Sequence, residues 1–282
     1  MFDLRYHVAS LAAVFIALVI GILVGVGLSG RGLLDETERQ RLQEDIARLD
    51  RESDRQQQRI EELLAAEQYE RATYEAVMDG RLDGQRIALV FVGPIDGAAR
   101  ANVEDAIDTA GGTVARTRSL KVPIDALEVQ DALADMPDAP AELQDVGRVL
   151  AQELLDGGET PLWDELDDLI VLEQPPGPPG PMDGIVIARN TEPQSGATAR
   201  LLGGFYNGLA SAGRPAVAVE PGGTSESGLP VFWRYRFSTV DNVSSDTGRV
   251  SLAALLAGAR PGRYGLDGED GYLPPVPPIP RG

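Results

Sequence analysis

The chain has 282 residues, 44 acidic against 25 basic side chains, and a net charge of −19. Such an acidic balance argues against nucleic acid or anionic lipid headgroups as partners. There is no cysteine, which excludes a disulfide framework, thiolate catalysis and any cysteine-based metal site.

A short tail, residues 1–7, carries Arg5 and the single histidine, His7. Residues 8–28 (VASLAAVFIALVIGILVGVGL) then run without a charge, and thirteen of them are Leu, Ile, Val or Phe. As a helix this segment spans roughly 31 Å, the hydrocarbon thickness of a bilayer. Those thirteen side chains favour insertion by about 4 to 8 kcal/mol. A cleaved signal peptide would have a shorter apolar core, of about 7–15 residues, and a small-residue cleavage site, which Leu28-Ser29-Gly30-Arg31 does not supply. The segment therefore reads as an uncleaved transmembrane anchor, embedding the chain in the membrane bilayer. Ala9, Ala13, Ala17, Gly21 and Gly25 recur every fourth residue. They form a helix-packing face on which a second membrane helix could approach closely. Arg5 precedes the anchor and Arg31, Arg39, Arg41 and Arg48 follow it. A strict count of basic residues would keep the carboxyl side inside the cell, but the acidic residues among those arginines and the length of the body favour an extracytoplasmic body.

Residues 33–80 read as a coiled-coil stalk. From Leu34 to Met78 there is no Gly or Pro, and Glu, Arg and Gln abound, a composition that favours a long helix. A heptad seam runs through Leu42, Ile46, Leu49, Ser53, Gln56, Ile60, Leu63, Glu67, Glu70, Tyr74 and Val77, and its apolar members are Leu42, Ile46, Leu49, Ile60, Leu63, Tyr74 and Val77. In a parallel homodimer Asp45 would face Asp50 and Glu52 would face Gln57, neither of them an attractive pair. Weak self-association or pairing with a different helix fits this seam better than a tight zipper, and a solvated spacer is the alternative.

Residues 85–265 alternate strand and helix. Strands are expected at Arg86–Val92, Thr113–Ser119, Leu169–Leu172, Asp183–Arg189, Pro215–Glu220 and Phe237–Val243, with the last of these closing the sheet. Helices are expected at Gly97–Ala110, within an acidic region from Ile124 to Leu155 broken near Pro137 and Pro140, at Ser195–Ser211 and at Gly248–Ala257. Pro175–Pro181 (PPGPPGP) reads as an extended surface loop. Short, continuously apolar strands between helices imply an α/β fold: a three-layer domain, Rossmann-like or flavodoxin-like, on a mostly parallel sheet. Residues 266–282, ending in LPPVPPIPRG, read as a proline-rich disordered tail.

In such sheets ligands lie beyond the carboxyl ends of the strands. The polar groups expected there are Asp96, Asn190, Glu192, Glu220, Asp241, Asn242 and Asp246. The first strand leads into Gly93-Pro-Ile-Asp-Gly97 and not into a G-x-G-x-x-G turn, and no Walker-type loop or G-x-S-x-G is present. With the one histidine beside the anchor, a Ser-His-Asp arrangement in the body is impossible. Glu220 and Asp241 are the remaining candidates for a cation site or an acid/base pair, although strand-end carboxylates more often meet solvent or cap helices. Ser245-Asp246-Thr247 supplies a helix N-cap. No catalytic, cofactor-binding or metal-binding residues are assigned, and the body is expected not to be an enzyme.

The opening MFDLRYHVASLAAVFIALVIGILVGVGLSG, the Arg/Glu/Gln helix behind it, the strand Arg86–Val92 with Gly93-Pro94, and Val240-Asp-Asn-Val243 before the Thr247-Gly248 helix start together resemble the actinobacterial MctB family. That resemblance implies a cell-envelope protein linked to copper efflux, copper homeostasis or envelope permeability, working as a homo-oligomer or with a partner membrane protein. The layout is also similar to that of the actinobacterial division protein SteB. This second resemblance implies a non-catalytic scaffold that pairs with a membrane partner, SteA, and controls a peptidoglycan hydrolase. Copper enters only through the family resemblance, because copper(I) selects thiolate, thioether and imidazole ligands. Here those are one histidine and methionines scattered at positions 1, 78, 136 and 182.

Overall fold

The computed structural model describes residues 4–29, 36–134, 136–175, 177–189, 191–223 and 226–275, with side chains in the first two helices from 10–26, 39–66 and 72–78. The chain divides into two compact units, Met1–Tyr69 and Glu70–Gly282.

The first unit is helical. Helix α1 spans Leu4–Ser29, and its described side chains, residues 10–26, are all exposed. Among the described residues no helix is long and apolar enough to cross a membrane. Helix α2, Glu36–Met78, is unbroken over 43 residues, as expected for a stretch free of Gly and Pro.

The second unit opens with the last turns of α2 and carries a seven-stranded sheet in the order β3-β2-β1-β4-β5-β6-β7. Its strands are β1 Arg86–Val92, β2 Thr113–Leu120, β3 Val171–Glu173, β4 Gly184–Arg189, β5 Ala216–Val219, β6 Ser238–Val240 and β7 Arg263–Tyr264. Every pairing is parallel except β2 with β3. The order reverses between β1 and β4, as in dinucleotide-binding sheets rather than flavodoxin-type ones. Phe237–Val243, expected to close the sheet, is not the last strand. Residues 263–264 add a parallel edge beyond it, a strand too short to show any periodicity.

Both faces of the sheet are covered because its strands are apolar on both faces. On one side Ala88, Val90, Ile185 and Ile187 pack against α5 (Leu143–Asp156) and α8 (Gly196–Ser211), with Trp163 and Phe205 filling the layer. On the other, Ile87, Leu89, Phe91 and Val217 meet α3 (Gly97–Thr109), α10 (Asp246–Leu256), Met78 and Leu82. Helices α5 and α8 touch at backbone distance. A Cβ at Gly204 would lie 1.8 Å from the Gln144 carbonyl oxygen, and one at Gly147 would lie 2.0 Å from that of Leu201. Smaller helices complete the connections: α4 Ala126–Ala134, α6 Pro161–Glu165, α7 Asp167–Ile170 and α9 Pro230–Trp233.

The proline loop covers an edge. Strand β3 pairs only with Ser119 and Leu120 of β2, which leaves the earlier part of β2 open on that side. Gly177 closes on it, where a Cβ would lie 2.1 Å from the Ala115 carbonyl oxygen. Arg86 holds the loop by donating to the carbonyls of Pro178 (2.8 Å), Pro179 (3.0 Å) and Pro181 (3.1 Å). A proline-rich cover has few N–H groups to offer a further strand, so it blunts the edge.

Residues 266–275 differ from the expected disordered tail. The Asp241 carboxylate accepts hydrogen bonds from the backbone N–H of Leu266 (2.6 Å) and Asp267 (2.7 Å), and the Asp270 N–H donates to Arg263 (3.0 Å). Backbone partners supplied by the sheet, invisible in local composition, order this stretch. The rest of the tail, 276–282, lies outside the described residues.

Candidate functional site at the carboxyl ends of the strands

Beyond β1 and β4 lies the reversal point where doubly wound sheets hold ligands. The groups of this chain at that point mostly bind one another. Asp96 caps α3, its Oδ1 accepting from Ala98 (2.9 Å) and Ala99 (3.1 Å). Ser119 Oγ donates to the Gly93 carbonyl at 2.7 Å, and Thr191 Oγ1 reaches the Val92 carbonyl at 3.4 Å. Asn190 lies outside the described residues. Arg189, at the end of β4, has a buried Nη2 without a hydrogen-bond partner among the described residues. Burial holds its guanidinium below its usual pKa, partly offset by Tyr206.

A second group lies beyond β5 to β7. Glu220 and Asp241, the sequence's candidates for a cation site or an acid/base pair, line one cavity of about 130 Å³ together with Ser227, Trp233, Arg263 and Asp267. Glu220 is buried, and its Oε2 accepts from the Gly228 N–H at 3.1 Å. Burial pushes its carboxyl pKa up, opposed by hydrogen bonds from Ser227 and Gly228 and reinforced by Asp241 and Asp267. Both Asp241 oxygens are taken by backbone donors, as described above. Arg263 stacks over the Trp233 ring at 4.7 Å and pairs with Glu269. The two carboxylates thus share a cavity while each is engaged in holding a loop. Among the described residues no group of three or more His, Asp or Glu side chains is placed to hold a metal ion.

Ser245 is the N-cap of α10, accepting from the Gly248 N–H at 3.1 Å, as the Ser-Asp-Thr sequence suggests. Beside it, Asn242 is buried, with its Oδ1 unpartnered among the described residues. Sequence reasoning missed Trp233, Arg263 and Arg189. None stands in a recognisable motif, and only the sheet order brings the first two to the cavity holding Glu220.

The soft donors do not converge. Met78 and Met182 are buried in the two separate cores, on opposite faces of the sheet, and Met136 packs against the core of Met182. Met1 and the His7 side chain lie outside the described residues.

The predicted packing surfaces divide. Ala13, Ala17, Gly21 and Gly25 are exposed, and a Cβ at either glycine would meet nothing within 4 Å. The Ala9 side chain lies outside the described residues. Leu42, Ile46, Leu49, Ile60 and Leu63 are each more than half exposed. Tyr74 and Val77, expected on the same seam, pack instead against the core of the second unit, and Arg249 lies over the Tyr74 ring at 5.4 Å. The heptad continues through them in sequence, but the body rather than another helix covers them.

Residues 1–275 match the family described as copper transport outer membrane protein, MctB. The chain belongs to the MctB family. Similar relatives include the protein named copper transporter MctB from Mycobacterium tuberculosis (strain H37Rv) and its namesake from Mycobacterium bovis. Each is 24% identical, over 94% of this chain and 96% of its own length. The MctB match therefore takes in the leading apolar segment, the long helix and the α/β body together.

Proposed function

We propose that this MctB-family chain is a single-pass, membrane-tethered envelope protein that takes part in copper handling within an oligomer or complex, its body outside the cytoplasm. The observation that carries this reading is a family match that runs from the first residue through the whole body. The uncharged segment 8–28 supports the tether. Copper is cargo of the assembly and not a resident cofactor of one chain, because the soft donors of the body lie in separate cores. The body is a non-catalytic module, a reading supported by Asp96, Glu220, Asp241 and Ser245, whose side chains are spent on caps and loops.

Growth of a deletion strain in graded copper tests the role. Copper sensitivity, restored by the full chain, is expected; unchanged tolerance ends the proposal. A carboxyl-terminal reporter tests the orientation.

A second reading is favoured by the bare faces of α1 and α2: a scaffold that pairs with a membrane partner and regulates a cell-wall hydrolase. It predicts that Gly21→Ile with Gly25→Ile breaks a complex captured from membranes while the body stays folded. Recovery of monomer alone from the unsubstituted protein sinks it.

A further inference from the structure

The stretch of α2 from Leu42 to Leu63 has an apolar stripe with no cover. Leu42, Ile46, Leu49, Ile60 and Leu63 are each more than half exposed, as is Leu64 beside them. A helix that keeps such a stripe in water is stabilised chiefly by burying it against another element. The stripe has a polar centre, Ser53 and Gln56, flanked by Ile46 and Leu49 on one side and Ile60 and Leu63 on the other.

That arrangement is symmetric under reversal. When a second copy runs antiparallel about the midpoint of Ser53 and Gln56, Ile46 meets Leu63, Leu49 meets Ile60 and Ser53 meets Gln56. Ile46, Leu49, Ile60 and Leu63 then each meet an apolar side chain, only Leu42 at the end of the stripe standing opposite a polar position, and the two hydrogen-bonding side chains find each other. Sliding the copy by one heptad sets Ile46 against Gln56 and Leu49 against Ser53, so this register is the matched one.

The flanks distinguish the two directions. Positions beside the seam set orientation through charge. A parallel pair places Asp45 against Asp50 twice, whereas the antiparallel pair places Glu52 against Arg59 twice. Within this stretch Asp45 is bridged to Arg48 at 3.0 Å, and no salt bridge to Glu52 or Arg59 occurs among the described residues.

We infer that α2 between Leu42 and Leu63 is the docking surface for a second copy of this chain, running antiparallel and centred on Ser53 and Gln56. The two copies of Glu67 then lie at opposite ends of the paired stretch, each beside the partner's Leu42, with the two Leu42 residues about 38 Å apart along the axis. This goes beyond copper handling and does not depend on it. It constrains assembly, because two stalks standing side by side on one membrane cannot pair in this way, whereas stalks lying along a surface can.

The absence of cysteine makes the test direct. Leu49→Cys and Ile60→Cys are made in separate, differently tagged copies of the full chain, extracted in detergent, mixed and oxidised. The expected result is a mixed disulfide at least five times more abundant than either homodisulfide, because in this register position 49 of one copy faces position 60 of the other, whereas like positions are about 16 Å apart along the axis. Homodisulfides in excess mean a parallel pair, and no disulfide means no self-association; either overturns the inference. Charge reversal gives an independent reading. Arg59→Glu lowers mixed crosslinking at least fivefold, and Glu52→Arg added to it restores crosslinking. A parallel pair, in which Glu52 faces Gln57 and Arg59 faces Leu64, shows no such restoration. Copper tolerance of the same variants is scored separately, so failure of the pairing and failure of the copper role are read apart.

Discussion

The two ends of α2 carry one seven-residue repeat into opposite surroundings. Between Leu42 and Leu63 the repeat faces water, with Leu49 60% exposed. From Tyr74 onward the same helix belongs to the α/β body, where Tyr74 and Val77 pack on its core and Met78 is fully buried. A heptad records that a helix has an apolar face; it does not record what covers that face. Packing in the second stretch is intramolecular, so it contributes to the stability of the fold. In the first the apolar side chains are exposed, and the antiparallel pairing proposed above would cover them with a contribution that depends on concentration.

The largest expected effects separate these stretches. Met78→Ala removes a fully buried side chain and is expected to lower the unfolding free energy of the body by about 3 kcal/mol. Leu49→Ala is expected to leave that quantity within about 0.5 kcal/mol, as at an exposed site. Urea unfolding of the full chain in detergent, followed by the tryptophan fluorescence of the body, measures both. Equal losses would mean that the stalk and body unfold as one, and the contrast would fail.

Gly204→Ala comes next. Its added Cβ would overlap the Gln144 carbonyl, and the helices must part to admit it, at an expected cost of about 2–3 kcal/mol. Gly25→Ala meets open space in the single chain and is expected to leave body unfolding unchanged. Asp241→Ala removes the acceptor for Leu266 and Asp267. An expected loss of about 1–2 kcal/mol is accompanied by faster proteolysis within 266–273. An unchanged cleavage pattern would show that the edge strand alone holds this segment.

The smallest effect depends on pH. Burial raises the Glu220 carboxyl pKa, so the folded chain holds that proton more tightly than the unfolded chain does. Ionisation of Glu220 therefore costs stability at neutral pH, and the cost fades as pH falls through the raised folded value towards the ordinary carboxyl value of about 4.3. Glu220→Gln is expected to raise the urea midpoint at pH 7.5 and to leave it unchanged below about pH 4. A gain of equal size at both pH values would assign the effect to packing and not to charge.

Much of the body was legible because its strands are apolar on both faces and its helices end at glycines. Arg86–Val92 and Gly184–Arg189 declare themselves as buried strands, and Ser245 announces the start of α10. Strand β7 did not, because two residues carry no period. Trp233 and Arg263 were silent for a different reason: thirty residues separate them in sequence, and only the pairing of β6 with β7 brings them together. Glu220 and Asp241 were found as strand ends, but their capture by backbone N–H groups depends on loops whose course local composition does not encode.

By itself the sequence determined the ingredients: an uncharged apolar leader, a long helix with an apolar face, and alternating elements that must build a covered parallel sheet. These follow from hydrophobic periodicity and backbone propensity, which act over a few residues and can be read along the chain. The tertiary structure alone decided where the sheet reverses, which part of the heptad the body covers, and that the strand-end carboxylates hold loops. Those outcomes rest on contacts between residues far apart in sequence, whose partners exist only once the chain has closed on itself.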